Sequence, residues 1–125
     1  MVKLMLLVGL GGFIGTILRF LVSRFFITSF DSVFPWGTFV VNVLGSLLIG
    51  IFLGLSEKGN LVSQEWNLFL TVGICGGFTT FSSFSNEGYI LLQNKEILRF
   101  ATYASLSFFL GLLAVFLGRA ITKLI

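Results

Sequence analysis

The residues best suited to chemistry form a polar stretch at positions 76–85, inside an otherwise apolar part of the chain. It combines two glycines, five hydroxyl side chains and three phenylalanines. Hydroxyl groups donate and accept hydrogen bonds, and the edge of a phenyl ring carries partial positive charge. Such groups can replace part of the hydration shell of an ion. The structural alternative is that the hydroxyls bond to helix carbonyl groups while the glycines allow close helix packing.

One cationic side chain, Arg19, lies well inside the first apolar stretch. A guanidinium at membrane depth costs about 2.5 to 3.5 kcal/mol on insertion scales, so it must face protein or water. Its candidate partners are Asn42, Glu87 and the carbonyl groups at a helix C-terminus. The sequence leaves open whether Arg19 has a structural role, adds charge to a vestibule or contacts an ion directly.

Polar side chains also interrupt the second and fourth apolar stretches. Asn42 offers two donors and one acceptor where water is absent, which suits either an anion path or a hydrogen bond between helices. Tyr103, Ser107 and Gly111 share one helix face because they are four residues apart. Their hydroxyl groups suit either a track for ions or interhelical hydrogen bonding.

Several classes of function are excluded or disfavoured by residue content. The chain has no histidine and one cysteine, Cys75, which excludes the usual His/Cys metal sites and an intrachain disulfide. Cys75 lies in an apolar segment and is predicted to pack there. Apart from Glu87 no general base is evident, and no nucleophile has an adjacent activator, so we do not expect an enzyme. The eight basic residues are scattered singly, which argues against nucleic-acid binding.

The composition indicates that lipid surrounds these residues. The chain has 125 residues, of which 56% are hydrophobic and only 10% charged, against about 25% charged in ordinary soluble domains. Apolar windows run roughly over residues 4–27, 38–55, 68–92 and 100–117, near the ~20 residues that a membrane helix needs. They predict an all-α membrane protein with a single four-helix transmembrane domain over residues 1–125, located in the cell (inner) membrane. Trp36 and Trp66 are placed as interfacial anchors.

The connections and the glycine spacing refine this prediction. Short polar segments at residues 28–32, 56–60 and 93–96 separate the spans, and the first leads to the single proline, Pro35. Backbone released from a helix in lipid must be buried in protein or line a wet cavity. The polar stretch therefore predicts a third helix that is broken near its middle and forms a site. Small residues four apart are predicted to pack helices closely; they are Gly11, Gly15, Ser46, Gly50, Gly54, Gly73 and Gly77.

The distribution of basic residues predicts insertion in both orientations. Four spans place the N-terminus, the second connection and the C-terminus on one side of the membrane. That side carries Lys3, Lys58, Arg119 and Lys123, and the opposite side carries Arg24, Lys95 and Arg99. A difference of four against three barely selects an orientation. Antiparallel pairing of two copies would create a two-fold axis in the membrane plane, and one chain has too few helices to enclose a pore.

Three motifs cover nearly the whole chain: Gly11-Gly12-x-x-Gly15-x-x-x-Arg19, then Gly37-Thr38-x-x-x-Asn42-x-x-Gly45-Ser46, and Gly73-x-x-Gly76-Gly77-Phe78-Thr79-Thr80-Phe81-Ser82-Ser83-Phe84. In these motifs the chain resembles the CrcB/Fluc family of small dual-topology fluoride channels, and the third motif is the most specific. The departures are Phe20 where tyrosine is common, Leu47 where phenylalanine is common and Ser83 where threonine is frequent. None removes a group that the mechanism obviously needs.

The resemblance implies an antiparallel homodimer with two passive fluoride pores that export cytoplasmic fluoride and confer fluoride resistance. It implies that Phe81 and Phe84 line the pores. Hydrogen-bond donors along the route would come from Asn42, Ser82, Ser83, Tyr103 and Ser107. It also implies one structural Na⁺ at the dimer centre, held by the backbone carbonyls of Gly76 and Thr79 of both copies.

The alternative function is a small dual-topology multidrug or cation antiporter, which has the same size and number of helices. An antiporter of that type needs an intramembrane carboxylate to exchange protons for cations. The first span carries Arg19 instead, and Glu87 is the only acid near the membrane interior. A subunit that assembles but does not transport is disfavoured by the polar stretch in the third span.

Overall fold

The computed structural model describes residues 1–59 and 62–125, and within these ranges the chain is helical and contains no strand. The helices are α1 (Val2–Ser29), α2 (Trp36–Ser56), α3 (Gln64–Leu68), a π-helix (Phe69–Cys75), α4 (Gly76–Phe78), α5 (Phe81–Gln93) and α6 (Ile97–Lys123).

Four segments are long and apolar enough to cross a membrane: Val2–Ser29, Trp36–Ser56, Gln64–Gln93 and Ile97–Lys123. They confirm the prediction of four membrane-capable helices. Each segment is longer than its apolar window, because the helix continues through the mixed polar and apolar residues at the window ends. The segment Gln64–Gln93, called the third span below, begins four residues earlier than predicted, since Ser63 Oγ accepts a hydrogen bond from the Trp66 amide at 3.2 Å. Of the predicted polar connection at 56–60, Asn60 lies outside the described residues.

Close packing at glycines joins the helices in pairs. A Cβ added at Gly73 would lie 2.9 Å from the Cα of Gly11, so α1 and the third span meet backbone to backbone. A Cβ added at Gly118 would lie 2.5 Å from the carbonyl oxygen of Leu47, which brings α6 equally close to α2. These approaches confirm the packing interpretation of Gly11 and Gly73.

Ion pairs at the helix ends define the arrangement of the chain. Lys3 Nζ lies 3.1 Å from Glu65 Oε2, and Arg119 pairs with Glu57. These pairs bring the N-terminus, the start of the third span, the end of α2 and the end of α6 to one end of the molecule. The sequence predicted the same placement for Lys3 and Arg119.

Little of the apolar side-chain surface is buried within one chain. In the most apolar window of each membrane-capable segment, only 11% to 28% of the window is buried within the chain. The buried apolar residues include Val41, Tyr103 and Cys75, which is 2% exposed and packed as predicted. An exposed apolar surface of this extent requires lipid or a partner chain around it.

Candidate functional site

The regular helix of the third span stops in the polar stretch. Thr79 (φ −89°, ψ 160°) and Thr80 (φ −153°, ψ 121°) are extended between α4 and α5. The Thr79 hydroxyl donates to the Cys75 carbonyl at 2.9 Å, and the Thr80 hydroxyl accepts from the Ser83 amide at 3.2 Å. Thr79 thus satisfies a carbonyl at the end of one helix, and Thr80 caps the first turn of the next.

Asn42 on α2 pairs with the extended backbone through both ends of its amide. Its Nδ2 donates to the Thr80 carbonyl at 3.0 Å, and its Oδ1 accepts from the Thr80 amide at 2.8 Å. The two bonds satisfy the backbone N–H and C=O groups of Thr80, which lies outside the regular helices. One N–H of the Nδ2 group is not used in this pair and is available to another acceptor.

Arg19 on α1 stabilises the other side of the same interruption. Its Nε donates to the Gly77 carbonyl at 3.0 Å. Of the three candidate partners that the sequence offered, the structure selects a carbonyl near a helix C-terminus. A cation is favourable there because the last carbonyls of a helix carry partial negative charge.

The carbonyl oxygens of the polar stretch differ in their partners. Those of Gly77 and Thr80 accept hydrogen bonds from Arg19 and Asn42. By contrast, the carbonyl oxygens of Gly76 and Thr79 accept no side-chain hydrogen bond from the described residues. They also accept no backbone hydrogen bond other than any within the helices themselves. Gly76 is also exposed, and a Cβ added there would come no closer than 3.8 Å to another atom of the chain. Its surroundings within one chain therefore do not require glycine.

An open groove of about 460 Å³ lies beside the interruption. Six of the sequence-predicted site residues line it: Asn42, Gly76, Thr79, Phe81, Phe84 and Ser107. No Lys, Arg, Asp or Glu is among its described lining residues. The groove therefore combines amide, hydroxyl and aromatic groups without a full charge.

The other predicted site residues lie around the groove rather than on it. Tyr103 is fully buried, and its ring lies behind that of Phe84 at a centroid distance of 5.0 Å. Ser83 is half-buried in the first turn of α5, and Ser82 is exposed with its hydroxyl 3.3 Å from that of Thr80. Arg19 does not line the groove.

Aromatic rings form a continuous row from the groove into the protein. Phe81 is 78% exposed, although phenylalanine is usually buried when it has a packing role. Its ring centroid lies 5.9 Å from that of Phe84, which in turn contacts Tyr103. An aromatic side chain this exposed beside a groove is available to contact a ligand or a second chain.

Two buried hydroxyl groups, those of Tyr103 and Ser107, lie along α6. Ser107 Oγ is buried and has no hydrogen-bond partner among the described residues, and the buried Tyr103 hydroxyl lies beside the Glu87 carboxyl and the Thr38 hydroxyl. An unsatisfied buried polar group costs about 1–3 kcal/mol. Both lie on one face of α6, as their spacing predicted, and a bound ion or water would satisfy the Ser107 hydroxyl.

Two polar residues near the site were given no role by the sequence. Thr80 provides both the cap of α5 and the backbone partner of Asn42. A threonine directly before a helical pattern is a recognisable N-cap signal and could have identified it. Thr38 lies next to the Glu87 carboxyl, and this proximity depends on the packing of α2 against α5, which carries no sequence signal.

Comparison with known proteins gives a consistent result over the whole chain. The family model described as CrcB-like protein, Camphor Resistance (CrcB), matches residues 6–119. A protein of Flavobacterium psychrophilum is 47% identical over 97% of this chain and 98% of its own length. One from Thermus thermophilus is 52% identical over 90% of this chain and 88% of its own. Both relatives are named "Fluoride-specific ion channel FluC".

Proposed function

Because this chain belongs to the CrcB-like protein family, we propose that it is a passive fluoride-selective channel of the cell membrane that exports cytoplasmic fluoride and confers fluoride resistance. The relatives named as fluoride-specific channels match 97% and 90% of its length. The observation that carries the proposal is the groove in which the Asn42 amide, the Phe81 and Phe84 rings and the Ser107 hydroxyl lie together.

This set of groups suits weak binding of a small anion. The positive edge of an aromatic ring attracts an anion less strongly than a full charge would. The unused N–H of Asn42 and the unpartnered hydroxyl of Ser107 supply hydrogen bonds in place of lost water. The Tyr103 hydroxyl, behind the Phe84 ring and beside Glu87, would be a donor farther along the route. Conduction requires that an ion can leave as well as enter, so neutral donors are better suited than a lysine or arginine. Ser82 and Ser83 extend the supply of hydroxyl groups beside Phe81.

The proposed pore is completed by a second, antiparallel copy, with the third helix broken at Thr79 and Thr80 at the centre of the dimer. Two features support a partner on this face. Phe81 is 78% exposed, and Val72, one turn before Gly76, is 53% exposed. Gly76 has open space around its Cα within one chain, so a close neighbour that requires glycine would come from outside the chain.

The backbone at this break also fits a structural Na⁺ held by the Gly76 and Thr79 carbonyls of both copies. Among the described residues, no side chain donates a hydrogen bond to these two carbonyl oxygens. The neighbouring carbonyls of Gly77 and Thr80, in contrast, accept hydrogen bonds from Arg19 and Asn42. Carbonyl oxygens freed from a helix are suitable ligands for a monovalent hard cation in a membrane protein. The ion would neutralise these carbonyls and help to hold the two copies together.

No energy source other than the membrane potential is required. HF crosses membranes and ionises in the less acidic cytoplasm, which traps fluoride there. With the interior negative, each 100 mV favours outward movement of an anion by about 2.3 kcal/mol. Coupling to protons would require a carboxylate at the ion site, and none lines the groove among the described residues. The antiporter alternative is therefore not favoured.

A current measurement separates the two mechanisms. We expect the purified protein in a planar bilayer with a fluoride gradient and no pH gradient to carry a current that reverses near the fluoride equilibrium potential. An electroneutral proton-coupled antiporter would carry no current. Absence of a fluoride current, or a reversal potential that shifts when a pH gradient is then imposed, would overturn the proposal.

A further inference from the structure

The row of hydroxyl groups along α6 ends at a glycine. Tyr103, Ser107 and Gly111 follow one another at four-residue spacing, and the last of them has no side chain. Among the described residues, a Cβ added at Gly111 would come within 4 Å of one atom beyond the neighbouring helix backbone, Ser46 Oγ of α2 at 3.5 Å. This is an ordinary contact distance, so close packing does not require glycine here. Open space therefore lies between α6 and the Ser46 hydroxyl.

Ser46 continues the polar lining of the groove on the opposite helix. It lines the groove together with Asn42, lies four residues after it and is half-buried, so the two side chains share one face of α2. On α6 the groove is lined by Ser107, one turn before Gly111. Ser46 thus provides a hydroxyl group at the level where α6 has none. The sequence indicated only a packing role for this small residue.

The Ser46 hydroxyl can leave its present partner at little cost. Its Oγ donates to the Asn42 carbonyl at 2.7 Å. Within α2 the same carbonyl is placed to accept from the Ser46 amide, four residues later. The hydroxyl therefore makes a second bond to an oxygen that has two lone pairs. If the hydroxyl rotates away, the carbonyl keeps its helix bond and no buried backbone group is left unpaired.

We propose that Ser46 is a further fluoride-contacting residue, whose hydroxyl turns from the Asn42 carbonyl to the ion as the ion passes the level of Gly111. The inference rests on the channel function proposed above. A hydroxyl group offers the anion a hydrogen bond without adding a full charge, which keeps binding weak enough for the ion to leave. Ser107 of α6 and Ser46 of α2 then act in succession from opposite walls.

Ser46→Ala removes the donor and should preserve the helix, because alanine is the better helix former. We expect fluoride efflux from liposomes to fall roughly tenfold or more, since hydrogen bonds to charged groups are among the stronger ones. The variant should elute in size exclusion as the wild type does. Ser105→Ala, at an exposed position of α6 outside the groove, is the matched control and should leave efflux unchanged.

A rescue from the opposite helix separates the hydroxyl group from a packing effect. In the Ser46→Ala background, Gly111→Ser returns a hydroxyl to the same space and should restore most of the lost efflux, whereas Gly111→Ala adds only the Cβ and should not. If Ser46→Ala does not elute normally, the nearly isosteric pair Ser46→Thr and Ser46→Val makes the same comparison, with faster efflux expected for threonine.

The outcomes distinguish this inference from the proposed function. Wild-type efflux from Ser46→Ala, equal efflux from the two double variants, or equal efflux from the threonine and valine variants would overturn the role of Ser46 and leave the channel function intact. Absence of fluoride efflux from the wild-type protein would overturn the proposed function, and the role of Ser46 with it.

Discussion

The side chain of Asn42 and the backbone of Thr80 exchange two hydrogen bonds of opposite direction, at 3.0 and 2.8 Å, across the contact between α2 and the third span. The pair fixes the last extended residue before α5. Phe81 is the next residue and the first of α5, so the amide of Asn42 sets the position of the exposed ring in the groove. One side chain therefore both positions the backbone and offers its remaining N–H to the groove.

Asn42→Asp should abolish conduction with only a moderate effect on stability. The aspartate retains an acceptor for the Thr80 amide but cannot donate to the Thr80 carbonyl when ionised, which costs about 1–3 kcal/mol. A carboxylate 4 Å from fluoride would repel it by about 4 kcal/mol at an effective dielectric constant of 20, so efflux should fall by roughly a hundredfold or more. Fluoride efflux and size exclusion on one preparation provide the measurement. Asn94→Asp, an exposed position outside the groove, is the matched control, and equal efflux in the two variants would exclude Asn42 from the path.

Phe81→Ile and Phe84→Ile distinguish ring electrostatics from packing. Both keep an apolar side chain but remove the positive ring edge. Phe81 is 78% exposed, so its replacement should barely change the stability of the chain. Phe84→Ile should cost about 1 kcal/mol through the lost contact with Tyr103. In folded dimers both should nevertheless lose most fluoride efflux, and wild-type rates in both variants would mean that these rings do not form the path.

The sequence predicted the four membrane-capable helices and the depth of the polar stretch, because hydropathy and polarity can be read position by position. It narrowed the partner of Arg19 to three candidates but could not choose among them. The partner is the backbone carbonyl of Gly77, and every residue has a backbone carbonyl, so residue type does not identify it. The π-helix at Phe69–Cys75 has no distinguishing side chains. The Asn42–Thr80 pair depends on how α2 packs against the third span. The assignments of pore residues and of the Na⁺ site stay predictions.

Gly76→Val and Thr79→Ser test the Na⁺ site and the dimer together. Within one chain a side chain at Gly76 meets nothing closer than 3.8 Å, so folding of the subunit should tolerate valine. If a partner packs on this face, Gly76→Val should abolish dimer formation, while Thr79→Ser should be mild because it keeps the carbonyl and the hydroxyl. Gly77→Val is a useful comparison, since a Cβ there would lie 2.6 Å from the Gly12 carbonyl and should destabilise the subunit itself. A normal Gly76→Val dimer that still conducts would contradict the proposed contact.

Insertion in both orientations can be tested by biasing one copy. Two or three lysines added beside Lys58 should favour the orientation that keeps this end in the cytoplasm, and the same number beside Lys95 should favour the opposite one. Each biased copy alone should then fail to protect cells from fluoride, and the two together should restore protection. Full protection by one strongly biased copy would mean that antiparallel pairing is not required.

The most direct measurement of the central claim is fluoride release from liposomes that contain the wild-type protein and equal internal concentrations of fluoride and chloride, loaded as potassium salts. We predict that adding a potassium ionophore, with no pH gradient, releases fluoride rapidly while chloride remains inside, because movement of the anion needs only a counter-charge. Release of both anions at similar rates, or retention of fluoride until a proton gradient is imposed, would contradict a passive fluoride-selective channel.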